Sequence, residues 1–211
     1  MASDHDLRRQ QLVERIRAST QIEDARILNA FASVQRHLFL TEAQQAVAYE
    51  DRALPLGEGQ TVSQPSMIAI MLSELQCETT HRALEIGAGS GYAAALLGQL
   101  VREVFAVEIL PTLAALARDN LASSGASNVQ VSLGDGSFGL AAHAPYDRIL
   151  VSAAPSEVPR ALAEQLAPGG RIAIPVGDAH NQTLLLGEKT NEGELTWRRS
   201  VPCIFVPLVG G

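Results

Sequence analysis

Cysteine, aromatic residues and charge are all scarce in this chain of 211 residues, and each shortage excludes something. There are two cysteines, Cys77 and Cys203, far apart and in unlike contexts. No C-x-x-C spacing exists, so neither a zinc site nor a disulfide framework is expected, and both thiols read as buried in a reducing compartment. The histidines (His5, His37, His81, His143, His180) are scattered without a ligand pattern, so no metal is expected. Charged residues make up 18% and the formal net charge is -7. A protein that lives on phosphate backbones needs clustered Lys and Arg, so nucleic acid is not the expected partner. No apolar run approaches the roughly 20 residues that span a bilayer. The opening "MASDHDLRRQQ" is charged and has no apolar signal core, so a cytoplasmic protein off the membrane is expected.

What remains is an ordinary globular composition. Hydrophobic residues make up 46%, enough for a substantial core in one structural unit. Residues 1–50 read as a helical segment packed on the main domain, residues 51–211. In "DLRRQQLVERIRAS", Leu12, Val13 and Ile16 share one helical face, and Ile27, Phe31 and Val34 share another in "IEDARILNAFASV". "TEAQQAVAY" opens on Thr41, a plausible N-cap. Arg36 and Phe39 read as packing and anchoring residues. From residue 82 strands alternate with helices: strands over 82–86, 103–108, 128–133, 147–153 and 171–176, helices over 92–100, 110–125 and 157–166, with "APGG" as the turn into the last strand. That order implies a doubly wound, Rossmann-like parallel α/β sheet. "QTLLLGEK", "ELTWRRSV" and "CIFVPLV" then read as three antiparallel strands.

The chemistry concentrates at strand ends. "LEIGAGSGY" follows the first strand of the α/β region and opens a helix, where doubly wound sheets bind ligands. Gly87, Gly89 and Gly91 give G-x-G-x-G; the dinucleotide fingerprint needs a glycine at 92, where Tyr92 stands. Glu108 ends the next strand, twenty-one residues after Gly87, at the place of an acidic group that binds ribose hydroxyls. Asp135 and Gly136, in "LGDGSFG", follow the third strand and could bracket an adenine or form a plain turn. Glu85 is a carboxylate inside a buried strand; it needs a protein partner or a cationic ligand.

One polar loop stands apart. "GEGQTVSQPSMIAIM" (57–71) places Gln60, Thr61, Ser63 and Gln64 directly before an apolar helix. Ser63 reads as the N-cap of that helix, with Pro65 in its first turn. A helix N-terminus favours an anion, so a cap and a carboxylate site would coincide there. Tyr49 and Asp51, in "AYEDRALPL", could fall near the same cleft.

Taken together, "LPLGEGQTVSQP", "LEIGAGSGY", "GDG", "APYDRILVSAA", "VPRALAEQLAPGGRIAIPVG" and "FVPLVGG" resemble the protein-L-isoaspartate (D-aspartate) O-methyltransferase family from about residue 20 onward. G-x-G-x-G alone indicates an S-adenosylmethionine-dependent methyltransferase; "QTVSQP" selects the family. The resemblance implies methyl transfer from S-adenosyl-L-methionine to the free carboxylate of isoaspartyl residues in damaged peptides and proteins, by a metal-free, usually monomeric enzyme. It implies Ser63 as the active-site residue, with Thr61 and Val62 lining the same site; Gln60 and Gln64 read either as contacts to the substrate peptide or as plainly solvent-exposed. It implies cofactor contacts at Glu85, Gly87, Gly89, Glu108, Asp135 and Gly136; Gly91, the third glycine of the loop, and Ile109, next to Glu108, complete the expected cofactor set. Two positions depart from the pattern: Ala88 replaces a Thr or Ser, and Ser66 a bulkier residue, which would widen the pocket. A relative that methylates another carboxylate, or a silent binding homologue, would share most of these motifs. A carboxylate acceptor is already ionised at neutral pH, so no strong general base is expected.

Overall fold

The structure, a computed structural model, describes residues 4–210. The chain opens with α1 (Asp4–Thr20) and α2 (Ala25–Ser33). The Asp24 carboxylate caps α2 by accepting from the Arg26 N–H at 2.9 Å. Two 3₁₀ turns follow, Arg36–Phe39 and Glu42–Val47. Thr41 does sit at the N-cap of the second, but the segment is 3₁₀, and Gln44 Oε1 accepts from the Thr41 N–H at 3.1 Å. A short hairpin, β1 (Leu54–Gly57) and β2 (Gln60–Val62), leads into α3 (Pro65–Leu75).

The remainder runs β3 (Arg82–Ile86), α4 (Tyr92–Gly98), β4 (Glu103–Glu108), α5 (Pro111–Ser124), β5 (Val129–Leu133), β6 (Tyr146–Val151), α6 (Arg160–Gln165), β7 (Leu166–Gly177), β8 (Gln182–Lys189) and β9 (Leu195–Cys203). Among the described residues these form one seven-stranded sheet in the order β5-β4-β3-β6-β7-β8-β9. Strands β3 to β7 pair in parallel; β8 and β9 are antiparallel. The order reverses at β3, which pairs with β4 on one side and β6 on the other. The glycine loop therefore leaves the sheet at the switch point, where a crevice opens beyond the strand ends.

Alternation along the strands separates two apolar layers. Ala83 of β3 and Val104 and Ala106 of β4 face a layer containing Leu12, Ile16, Phe31, Leu72 and Leu96. Leu84, Ile86, Phe105 and Val107 face the opposite layer, with Ile149, Leu162 and Ile172. A period of two produces this split, and each fully buried aliphatic side chain contributes about 1.5–3 kcal/mol. Helices of the first fifty residues thus share a core with the sheet.

Three sequence expectations change. "APGG" does not precede β7: the strand begins at Leu166, and Ala167–Gly170 bulge between the Tyr146–Leu166 and Arg148–Arg171 pairs. "CIFVPLV" is not a third strand beyond Cys203; it runs out along the strand ends, bonded to Ala154 through Val206 O and the Leu208 N–H. The β1–β2 hairpin replaces what reads as plain loop, because Gly57 and Gly59 supply positive φ on both sides of Glu58.

Gly91, with φ of +86°, is the left-handed residue that turns the loop into α4. A Cβ there would lie 3.0 Å from Leu121 Cγ and 3.2 Å from Ala117 O. Gly91→Ala is expected to destabilise the fold by about 1–2 kcal/mol through the left-handed backbone alone. A urea midpoint unchanged from the native protein would contradict this.

Candidate active site

Three cavities meet where the hairpin crosses the glycine loop. The first, of about 250 Å³, lies beyond β3, β4 and β6 and is lined by Gly87, Gly89, Glu108, Ile109, Gly136 and hairpin residues Glu58, Gln60 and Thr61, among others. The second, of about 520 Å³, is a groove between the start of α3 and the end of β9, with Ser63, Gln64, Met67, Ile204 and Phe205 in its walls. The third is small, about 30 Å³, and lies between them. It shares Thr61, Gly87, Gly89 and Ser152 with the first cavity, and Thr61 and Ser63 with the second. No residue lining the three is Lys or Arg.

The cofactor side is shaped by strand ends. Glu108 Oε2 accepts from the Gly89 N–H at 2.8 Å and Oε1 from the Leu110 N–H at 3.0 Å. Each oxygen retains accepting capacity toward a ligand hydroxyl. Gly136 packs directly on Ile86, with no room for a Cβ. The hairpin roofs this cavity, and the Thr112 hydroxyl at the start of α5 bonds the Glu58 carboxylate across it.

Glu85 lies in the wall of the small cavity and is fully buried. Oε1 accepts from the Ser152 hydroxyl at 3.0 Å; Oε2 has no partner among the described residues. Burial pushes its carboxyl up to about 8, against the Ser152 hydrogen bond and with a contribution from the nearby Glu108 charge. An unpaired buried carboxylate oxygen beside a glycine-lined cleft fits a ligand that carries positive charge.

Ser63 is half-buried and lines both the small cavity and the groove. It is not the N-cap of α3. Gln64 holds that position, without a side-chain cap bond, and Pro65 is the first helical residue. The cap comes instead from Asp51: Oδ1 accepts from the Ser66 N–H at 2.8 Å and Oδ2 from Gln64 Nε2 at 3.2 Å. The free N–H expected to receive a substrate anion is thus already held by a protein carboxylate. This leaves the Ser63 side chain unemployed by the fold: among the described residues its hydroxyl has no protein hydrogen-bond partner.

Other expected residues fall in different places. Thr61 lines all three cavities, Gln60 the cofactor side, and buried Val62 the small cavity. Gly91 lines none of them. Asp135 is also outside the linings; its Oδ1 accepts from the Ser137 N–H at 2.8 Å and the Ser137 hydroxyl at 2.7 Å, and Gly210 packs against it. Ala88 faces the small cavity, not the large cofactor cleft. Ser66 is buried behind the site and widens no cavity. Tyr49 is buried away from the cleft, with its hydroxyl 2.7 Å from His37 Nδ1. Sequence reasoning missed Ser152, Glu58 and Val206–Val209 as lining residues. Ser152 follows a strand end, the same signal that marks Glu108; the C-terminal strap carries no local signal.

Comparison with known proteins agrees with this architecture. The family model described as protein-L-isoaspartate (D-aspartate) O-methyltransferase matches residues 7–211. The protein-L-isoaspartate O-methyltransferase of Methanopyrus kandleri is 48% identical over 206 residues, covering 96% of this chain and 91% of that protein. That of Aeropyrum pernix is 47% identical over 206 residues, covering 96% and 79%. A solved protein-L-isoaspartate O-methyltransferase superposes with a TM-score of 0.86 at 30% identity; the match covers 96% of this chain and 66% of that one. A Plasmodium falciparum structure, described as a protein-L-isoaspartate O-methyltransferase in complex with S-adenosyl-L-homocysteine, superposes with a TM-score of 0.82 over 99% of each chain. At 22% identity it shows the shared fold.

The sheet order, the glycine loop at the switch point and the acidic end of β4 define a Rossmann-like S-adenosylmethionine-dependent methyltransferase. Within that class, the chain belongs to the protein-L-isoaspartate (D-aspartate) O-methyltransferase family.

Burial of Glu85 makes a prediction about the cofactor-free protein. Folded Glu85 keeps its proton up to about 8, whereas the unfolded chain releases it near 4.5. The folded state binds more protons across that window, so stability falls as pH rises through it. Glu85→Gln is therefore expected to raise the melting temperature strongly at pH 8 and little at pH 5. A pH-independent difference between the two proteins would contradict the assignment.

Proposed function

We propose that the chain transfers the methyl group of S-adenosyl-L-methionine to the free carboxylate of L-isoaspartyl (and D-aspartyl) residues in damaged proteins or peptides, the step that initiates repair. One observation carries the reading. The small cavity bearing Ser63, Thr61 and Glu85 lies between the glycine-lined cleft beyond β3 and β4 and the groove between α3 and β9, sharing lining residues with each. When bound, the cofactor supplies an electrophilic methyl on a sulfonium.

The chain's own residues do the rest. Glu108 offers oxygens to ribose hydroxyls, Gly87, Gly89 and Gly136 allow close backbone approach, and Ile109 and Val107 give apolar wall. The unpaired oxygen of Glu85 receives the cofactor's positive charge. Asp135 supports the adenine end from behind, by fixing the turn that presents Gly136. On the acceptor side the Ser63 hydroxyl, which has no partner within the fold, donates to one carboxylate oxygen and orients the other toward the methyl. No histidine lies in the small cavity, and an ionised carboxylate needs no base. Rate comes from orientation and exclusion of water, each worth several kcal/mol. Met67, Phe205 and the exposed Ile204 give the groove an apolar lining for residues that flank the acceptor.

We further read the chain as a single unit, with residues 1–50 as its helical segment, acting as a cytoplasmic monomer without nucleic acid or membrane partners. Among the described residues no helix is long and apolar enough to cross a membrane.

Labelled S-adenosylmethionine and a matched pair of peptides, one isoaspartyl and one normal aspartyl, test the reading. Label is expected on the isoaspartyl peptide alone. Label on neither, with cofactor binding intact, would transfer the activity to another acceptor. Ser63→Ala is expected to leave S-adenosylhomocysteine affinity within about twofold while kcat falls about tenfold or more, as loss of one transition-state hydrogen bond requires. Equal loss of both would contradict the role given to Ser63.

A further inference from the structure

Arg36 lies outside every cavity described, yet it is fully buried. A buried guanidinium normally meets a carboxylate, because an unpaired interior cation is costly. Arg36 instead donates only to backbone carbonyls. Nη1 reaches Ala48 O at 2.9 Å and Glu50 O at 3.0 Å; Nη2 reaches Arg52 O at 3.1 Å and Ser63 O at 3.2 Å. Its Nε has no partner among the described residues. Burial accordingly lowers its affinity for the proton.

These four carbonyls share one feature. Three belong to the segment 48–52 and the fourth to Ser63, so one planar group ties the acceptor residue to a segment otherwise remote in sequence. The carbonyls of Glu50 and Arg52 flank Asp51, whose carboxylate takes the first N–H of α3 at Ser66. The opposite side of Arg36 rests over Tyr92, with Cζ 5.5 Å from the ring centroid. Tyr92 is the first residue of α4, directly after the glycine loop, and Phe31 and Phe39 pack around its ring at 6.4 and 5.5 Å between centroids. The guanidinium is thus wedged between the acceptor loop and the helix that begins where the cofactor loop ends.

We propose that Arg36 is a positioning residue for methyl transfer: its fork fixes the backbone of Ser63, and through it the hydroxyl, relative to the glycine loop. The inference rests on the role proposed for Ser63. A rigid fork of five N–H donors can hold four carbonyls in fixed relative positions. A lysine ammonium has three donors on a flexible stem and cannot. A displacement of about 1 Å at the acceptor is enough to lower a rate by about 10²-fold.

A double-mutant cycle tests this with an isoaspartyl peptide as acceptor. Arg36→Lys is expected to lower kcat by about tenfold or more, while S-adenosylhomocysteine affinity stays within about twofold. In the Ser63→Ala background the same change is expected to lower kcat by less than about twofold, because the group it positions is gone. Multiplicative losses in the two backgrounds, or a parallel loss of cofactor affinity, would show a general packing role and overturn the inference while leaving Ser63 its function. An unaltered kcat in Ser63→Ala would remove both. Should the Arg36 variant not fold, the native protein answers: with arginine labelled by nitrogen-15 and S-adenosylhomocysteine saturating, addition of isoaspartyl peptide is expected to shift the Arg36 side-chain resonances. No shift would overturn the inference.

Discussion

A single carboxylate sets the shape of the crevice. Glu108, at the end of β4, holds the Gly89 N–H on one oxygen and the Leu110 N–H on the other. It thereby fixes the loop leaving β3 against the chain leaving β4. A hydrogen bond from an amide to an ionised acceptor is worth about 1.5–3 kcal/mol, more than a neutral one. Two of them on one buried side chain explain how three glycines in five residues hold one conformation. Gly87, Gly89 and Gly91 all have positive φ, so the segment has little intrinsic preference for its native shape. The cleft, the helix α4 and the small cavity beside it all inherit their positions from this restraint.

The two halves of the site are built by different means. On the cofactor side the floor is made of strand ends, and parallel pairing of β3 with β4 and β6 brings these ends level. On the acceptor side Ser63 lies outside the seven-stranded sheet. Ser63 lies on a connection between a three-residue strand and a helix, and its surroundings are set by Arg36, Asp51 and the hairpin. Buried polar groups bonded to backbone serve there in place of strand pairing. Polar restraints of this kind are specific but intolerant: loss of one partner leaves the others unsatisfied in the interior.

That difference explains what the sequence reveals. Alternation of strands and helices, three closely spaced glycines and an acid at the next strand end are local patterns with one physical meaning, so the sheet and Glu108 are legible. The antiparallel finish is legible as far as Cys203, but "CIFVPLV" has the composition of a strand and beyond Cys203 pairs only through a single parallel bridge to Ala154 among the described residues. Ser63 before a proline has every mark of an N-cap; Asp51 takes that task from twelve residues upstream, which no local pattern signals. Asp135 and Gly91 stand at ligand-binding positions in the sequence, which gives no sign of their tasks in the fold. In the fold, Asp135 caps the turn at Ser137 and Gly91 supplies a left-handed turn against Leu121. Arg36 is the extreme case, since an arginine among apolar residues gives no hint that its partners are four carbonyls spread over sixteen residues of chain.

Charge balance gives the arrangement its chemical sense. The walls of the small cavity and the adjoining cleft contain three carboxyl groups, Glu85, Glu108 and Glu58, with the Glu108 charge close enough to raise Glu85, and no lysine or arginine among the described residues. An anionic acceptor gains nothing from such walls by itself. Burial removes part of the difficulty by keeping Glu85 protonated when nothing cationic is present. Beside these carboxyls a bound sulfonium cofactor would supply the missing positive charge. An anionic acceptor would then be drawn by the group it attacks, with no lysine or arginine lining these cavities among the described residues. Methyl transfer would cancel the carboxylate's charge and the sulfonium's together, so the attraction between them would end with the reaction. In the proposed reaction a neutral hydroxyl at Ser63 would orient the anion by a hydrogen bond, without adding a charge to these walls. The one buried cation nearby, Arg36, has its charge spread over carbonyl dipoles and faces the backbone of Ser63 from behind, where it can fix geometry without competing for the carboxylate.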